Sequence, residues 1–420
     1  MYRWSLRACL TIFLAAGSVW PTYGQRPSAQ TASPARFEQA IAAFEAADKT
    51  DPPAKNGTLF VGASNIRRWT TLSASFRGPT VLNRGFGGAH LSDILHFADR
   101  IILPYEPKAI VLQAGGNDLH AGRTPTDVLA DFQTLVRRIH ARLPKTTITV
   151  LSVPPSPARW SEVDAARATN ALLQQEAAQD ARIWFIDLFP FMLTPDGKPR
   201  AELFADDRLH VNERGYELWT SLIRWDKETS ALATADRDRQ PGPGGILFIG
   251  SSSIKRWTTL QQDFPNLPVI NHGFGGSQIF DSVVFTERLV LPLRPRMIVC
   301  YFGGNDINAG KTPDRVAQDF RVFCHQVHSK LPKTRIAFIS IAGNPARWAQ
   351  VDEVKNANRL VHEFTRIDPR LTFIDVFPHM LGPDGLPLGH IFVADRLHMN
   401  EQGYALWTKI VGPYLSSDGG

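Results

Sequence analysis

The sequence predicts an α/β protein built as two tandem units, each a parallel sheet of about five strands covered by helices. Three observations carry this. Short apolar runs alternate with helical patterns, which is how parallel strands joined by crossover helices read. The whole pattern then repeats at a constant offset: Gly57-Thr-Leu-Phe-Val-Gly62 returns as Gly245-Ile-Leu-Phe-Ile-Gly250, 188 residues on. A polar stretch ending in Pro/Gly alternation separates the copies, at residues 228–243.

Length and composition agree. The chain has 420 residues, 43% hydrophobic and 20% charged. That is enough for two or three units at ~150 residues each, and too apolar for wholesale disorder. The 31 Gly and 30 Pro show no short period, which excludes a collagen-like or low-complexity chain. The net charge of +6 includes Arg3 and Arg7 of the leader and contains no long like-charge run, so no nucleic-acid partner is expected.

Residues 1–24 read as a secretory signal: Arg3 and Arg7, then the apolar stretch Ala8–Val19, then small residues before Gln25. The stretch is short for a bilayer span, and no other segment is apolar enough, so a secreted or periplasmic protein with no stable membrane span is expected. Export permits Cys300 and Cys324 to pair; two buried thiols, one in a strand and one in the next helix, is the favoured reading.

Residues 25–35 read as a flexible lead, and Phe37–Asp48 has helical spacing through Phe37, Ile41 and Phe44. The first unit, 36–227, then shows strands at Leu59–Val61, Val81–Leu82, Ala109–Leu112, Ile148–Leu151 and Ile183–Ile186. Helical patterns fill Thr126–Leu143, Val163–Ala178 and Asn212–Ile223. Pro125 and Pro313 suit the first helical turn, where no N–H is needed. The second unit, 244–420, repeats these elements. Trp69-Thr-Thr-Leu72 recurs as Trp257-Thr-Thr-Leu260, and Pro157-Ala-Arg-Trp160 as Pro345-Ala-Arg-Trp348. A repeat this long is a duplicated domain rather than a solenoid.

Ligands in such sheets bind in the loops that follow the strands. After the first strand stand Gly62-Ala-Ser64 and Gly250-Ser-Ser252, where a serine can be a nucleophile or a helix cap. After the second come Asn83-Arg-Gly-Phe-Gly-Gly88 and Asn271-His-Gly-Phe-Gly-Gly276; these glycines match neither nucleotide-binding spacing. After the third come Gly115-Gly-Asn117 and Gly303-Gly-Asn305, whose amide can stabilise an oxyanion or serve a turn. Near each C-terminus stand Asp207-Arg-Leu-His210 and Asp395-Arg-Leu-His398, where a spacing of three puts acid and imidazole on one side of a helical turn. No second His or Cys cluster accompanies them, so no metal is expected. Together the loops supply a nucleophile, a base, an orienting acid and oxyanion donors, twice.

On these blocks each half resembles the SGNH (GDSL-type) hydrolases, in the branch of acetylhydrolases and carbohydrate O-acetylesterases. The resemblance implies a flavodoxin-like three-layer α/β/α fold and no cofactor. It implies Ser64 and Ser252 as nucleophiles, His210 and His398 as bases, and Asp207 and Asp395 as orienting acids. The oxyanion would be held by the nucleophile's N–H, by Gly88 or Gly276, and by Asn117 or Asn305. The family's usual Asp before the serine is Ala63 in one half and Ser251 in the other. The expected reaction is hydrolysis of short acyl esters, acetyl on carbohydrate first. The alternatives are a carbohydrate-binding scaffold with dormant sites, or an O-acyltransferase. Trp69, Trp257, Phe86 and Phe274 either pack the core or line a sugar site. His90/Gln278 and His120/Asn308 distinguish the halves if they face the clefts. The halves are expected to pack as an intrachain pseudo-dimer.

Overall fold

The computed structural model describes residues 33–76 and 80–415. The expected signal segment at 1–24 lies outside them, as does most of the segment 25–35. Among the described residues no helix is long and apolar enough to cross a membrane.

The first half holds β1 (Thr58–Gly62), β2 (Val81–Gly85), β3 (Ala109–Gln113), β4 (Thr147–Leu151) and β5 (Ile183–Ile186). The second holds β6 (Ile246–Gly250), β7 (Val269–Gly273), β8 (Met297–Tyr301), β9 (Arg335–Ile339) and β10 (Leu371–Ile374). Each half forms one parallel five-stranded sheet, ordered 2-1-3-4-5 and 7-6-8-9-10. The strands are nearly continuous apolar runs because both faces are covered. Phe60 and Val111 point into one buried cluster, while Leu59, Val61 and Ile110 point into another.

The helices used below are α1 (Glu38–Thr50), α2 (Leu91–Ile101), α3 (Pro125–Arg142), α4 (Val163–Ala177) and α5 (Glu213–Arg239). In the second half they are α6 (Ile279–Val284), α7 (Thr286–Leu289), α8 (Pro313–Lys330), α9 (Val351–Thr365) and α10 (Glu401–Leu415). Thr124 caps α3 and Thr312 caps α8, each followed by Pro at the first turn. Helix α2 is absent from the sequence expectation above. Cys300 and Cys324 are buried free thiols in β8 and α8, and burial pushes both thiol pKa values up.

One expectation is corrected. Helix α5 does not stop at Ile223 but runs 27 residues to Arg239, so most of the expected linker, 228–243, is helix. The repeat explains why. Residues 213–227 match α10, and residues 226–238 match α1 at the same offset of 188. The last helix of the first half and the first helix of the second are one continuous helix. Its second part docks on the second half as α1 docks on the first. Phe37 packs edge-on against Phe86 at 5.0 Å, and Trp225 against Phe274 at 5.8 Å. Arg100 donates to Glu38 at 2.9 Å, and Arg288 to Asp226 at 2.8 Å. Arg84 donates to Asp48, and Asp236 lies 2.9 Å from His272 Nε2.

The halves therefore meet head to tail. One apolar cluster joins Phe60, Leu151 and Trp219 of the first half to Leu247, Ile249 and Cys300 of the second, which lie on the opposite sheet face. Phe191 meets Phe285 at 5.9 Å, and Arg315 donates to both Glu217 oxygens at 2.9 and 2.8 Å. A two-fold pseudo-dimer would use the same patch on both halves; this contact uses different patches.

Candidate active site

Each site is assembled at the carboxyl ends of the strands. β1 ends at Gly62, where a Cβ would lie 2.2 Å from the Gln113 carbonyl oxygen, and β6 ends likewise at Gly250. The chain turns at once into short helices, Ser64–Arg67 and Ser252–Lys255, with the serine as first helical residue. Tyr216 and Tyr404 reach from α5 and α10 and donate to the carbonyl of the residue after each serine, at 2.8 and 2.9 Å. Those tyrosines pack on the buried Trp69 and Trp257.

Ser64 Oγ lies 2.8 Å from His210 Nε2, and His210 Nδ1 lies 2.6 Å from Asp207 Oδ2. In the second half Ser252 Oγ is 2.8 Å from His398 Nε2, and His398 Nδ1 is 2.7 Å from Asp395 Oδ2. The segment that carries acid and imidazole is not a helical turn, which corrects the local expectation. Arg208 and Arg396 sit in the left-handed region at φ 57° and 58°. The other carboxylate oxygen closes the turn by accepting from Leu209 N and His210 N at 3.0 and 2.9 Å. Asp395 does the same with Leu397 and His398. Desolvation pushes the Asp207 carboxyl up, but the His210 and Leu209 hydrogen bonds outweigh it and hold it well below the usual range. At Asp395 the bonds from His398 lead, in the same direction. An ionised carboxylate fixes the imidazole tautomer, and an imidazole so held can take a serine proton.

Gly88 and Gly276 stand at φ 80° and 88°, which L residues rarely adopt, in the loops after β2 and β7. Among the described residues nothing would meet a Cβ at Gly88, whereas at Gly276 it would touch the Trp225 ring at 3.5 Å. Asn117 Nδ2 donates to the Ala89 carbonyl at 3.0 Å, and Asn305 Nδ2 to the Ser277 carbonyl at 3.0 Å. The amides are thereby tied to the glycine loops.

The first cleft, about 640 Å³, is lined by Ser64, Asn117, Arg159 and Trp160 among others, and the second, about 590 Å³, by Ser252, Asn305, Arg347, Trp348 and His398. Trp69, Trp257, Phe86 and Phe274 are buried in the core and line neither cleft. His90 is buried at the start of α2, with Gln278 at the matching place before α6. His120 Nδ1 lies 2.6 Å from Oε1 of Glu162, which lines the first cleft while His120 itself does not; Gln350 lines the second at the position of Glu162. The cleft residues missed in the sequence are Arg159, Trp160, Arg347, Trp348 and Tyr301. The repeated Pro-Ala-Arg-Trp was the visible signal for the arginines and tryptophans; Tyr301, at the end of β8, had none.

The sequence matches the model of the GDSL-like lipase/acylhydrolase family over residues 56–218 and 248–406. A search of curated proteins returns no match. Among solved structures, a Streptococcus pneumonia protein provisionally assigned as a platelet activating factor is 21% identical, covers 49% of this chain and 99% of its own, and has a TM-score of 0.43. A GDSL-like lipase of Bacteroides thetaiotaomicron is 14% identical, covering 44% and 96%, with a TM-score of 0.38. A family 3 carbohydrate esterase of Clostridium thermocellum is 18% identical, covering 39% and 90%, with a TM-score of 0.33. Each matches less than half of this chain over nearly its own whole length. Two matched segments account for most of the sequence, and the chain belongs to the GDSL-like lipase/acylhydrolase family of carboxylic ester hydrolases.

Proposed function

We propose that the protein hydrolyses short-chain acyl esters, O-acetyl esters of carbohydrate first among them, at one site in each half. The observation that carries this is the pair of Ser–His–Asp contacts, 2.8 then 2.6 Å in the first half and 2.8 then 2.7 Å in the second. Ser64 or Ser252 attacks the ester carbonyl while His210 or His398 removes its proton. Asp207 or Asp395 holds the imidazole and stabilises the imidazolium. The oxyanion is received by the N–H of the serine, the N–H of Gly88 or Gly276, and the amide of Asn117 or Asn305. The imidazolium then protonates the leaving alcohol, and water, activated by the same imidazole, releases the acid.

The clefts are lined by Ser156, Arg159 and Glu162 in one half and by Asn344, Arg347 and Gln350 in the other. That polarity suits a small acyl group on a hydroxyl-rich alcohol. The basic and apolar leader supports action outside the cytoplasm.

Hydrolysis of p-nitrophenyl acetate by wild type, Ser64→Ala, Ser252→Ala and the double variant tests the reading. Activity lost only in the double variant means two working sites. Loss in one single variant assigns catalysis to that half, and full activity in the double variant overturns the serine mechanism. Product analysis with an added acceptor alcohol separates hydrolysis from acyl transfer. Asn117→Ala in the Ser252→Ala background is expected to lower kcat by ~10²–10³ with KM little changed.

A further inference from the structure

A side-chain amide can serve an oxyanion only in one of its two orientations. Flipped by 180°, Asn117 would present a carbonyl oxygen to the developing negative charge. Two contacts of fixed polarity exclude the flip. Arg159 Nη2 lies 3.0 Å from Asn117 Oδ1, and a guanidinium can only donate, so the atom facing it is the oxygen. The Ala89 carbonyl can only accept, so the atom 3.0 Å from it is the nitrogen. One amide N–H is used there, and the second meets no acceptor among the described residues.

The second half repeats the arrangement. Arg347 Nη1 is 3.0 Å from Asn305 Oδ1, and Asn305 Nδ2 is 3.0 Å from the Ser277 carbonyl. The same guanidinium also bonds the residue before the asparagine: Arg159 reaches Gly116 O at 2.9 Å, and Arg347 reaches Gly304 O at 3.0 Å. Each arginine therefore clamps the Gly-Asn step at two points. Each comes from a short 3-10 segment, Pro157–Glu162 or Pro345–Gln350, and departs from helical geometry there, at φ −119° and −124°. Around this clamp the clefts differ: Asn65, Gln113 and Glu162 of the first are replaced by Ser253, Tyr301 and Gln350 at the matching positions of the second. The arginine, the asparagine, the bond between them and the arginine's bond to the preceding glycine carbonyl recur in both halves.

We propose that Arg159 and Arg347 are positioning residues that hold the oxyanion amide with its N–H toward the cleft and, through their charge, polarise that N–H into a stronger donor. This rests on the esterase reading above. It predicts a role in the transition state and none in ground-state binding, carried through the asparagine.

The test uses the full chain with Ser252→Ala, so that only the first site turns over. Saturation kinetics on p-nitrophenyl acetate are compared for Arg159→Met, Arg159→Lys, Asn117→Ala and the Arg159→Met/Asn117→Ala pair, with thermal melts to check folding. The expected result is a kcat about tenfold to a hundredfold lower in Arg159→Met, KM changed by less than about threefold, partial recovery in Arg159→Lys, and almost no further loss when Asn117 is already alanine. Unchanged kcat, a change in KM alone, or losses that multiply in the pair would each overturn the proposal. If Arg159→Met does not fold, the same cycle is run with Arg159→Lys, whose smaller loss must also vanish in the Asn117→Ala background. Adding Ser64→Ala separates the two readings: retained activity there defeats the serine mechanism itself, while lost activity there with normal kcat in Arg159→Met defeats only the arginine's role.

Discussion

Helix α1 and the second part of α5 are the same element met twice. The first begins its half; the second is fused to the helix before it. Both cover the same face of their sheet, through an aromatic contact, an acid–Arg bond and a second acidic residue one face further on. The difference is in what each can do without the other half. Helix α1 belongs to one domain, whereas α5 gives Tyr216 to the first site's serine loop and Trp225 to the second site's Gly276 loop, nine residues apart on one rod. Duplication here left no flexible joint. The second unit keeps its covering helix only because the first unit continues into it.

The largest effect should come from removing that helix. A chain beginning at 244 leaves Phe274, Phe285 and Arg288 uncovered and is expected to lose its cooperative urea transition, while one beginning at 224 keeps it. Equal midpoints would break the equivalence of α1 and α5. Next, Trp225→Ala should cost ~3–5 kcal/mol in urea unfolding, like Phe37→Ala in the first half. A cost below about 1 kcal/mol for Trp225 alone would show that the two helices dock differently. Trp225 Nε1 is buried and has no hydrogen-bond partner among the described residues, so Trp225→Phe, which imitates Phe37, should stay within about 1 kcal/mol of wild type.

A pH effect of intermediate size is expected at the matching pair Asp118 and Asp306. Both are fully buried and accept a backbone N–H, from Leu91 and Ile279. Burial raises both carboxyls, Asp306 to about 6 despite Lys311 nearby. The folded value lies above the unfolded one, so folding favours the protonated form. For Asp306 that contribution is full below pH ~4 and is lost as pH rises to about 6, by at most ~3 kcal/mol. Asp306→Asn should flatten stability between pH 4 and 6; an unchanged slope would mean that Lys311 compensates the buried charge. The smallest effect is expected at the partly exposed Glu217–Arg315 pair between the halves. Glu217→Gln should cost less than about 1 kcal/mol, and a larger loss would make that contact a main tie.

Much of this was legible in the residues. Continuous apolar runs such as Ile110–Leu112 and Leu247–Ile249 announce strands buried on both faces, and the constant offset announces the duplication. The chemistry was legible because the serine and the amide each follow a strand and Asp-x-x-His recurs near the end of each half. Helix α5 was misread where Lys227, Glu228, Thr229 and Ser230 interrupt the apolar periodicity. There the helix is held by Trp225, Asp226 and Asp236 rather than by a broad apolar stripe, and such ion contacts leave no period. Arg159 was seen as a repeated residue but not as part of a site, because its partner Asn117 lies 42 positions away.

The sequence by itself determined the class of the sheets, the duplication and the residues able to do ester chemistry, since these depend on local pattern and on side-chain type. Tertiary structure alone decided that the halves meet head to tail on a shared helix and that an arginine sets the asparagine's orientation. It also decided that His210 and His398 each follow an arginine in the left-handed region rather than standing on a helical turn. Each depends on which distant groups meet, with which polarity and at what distance.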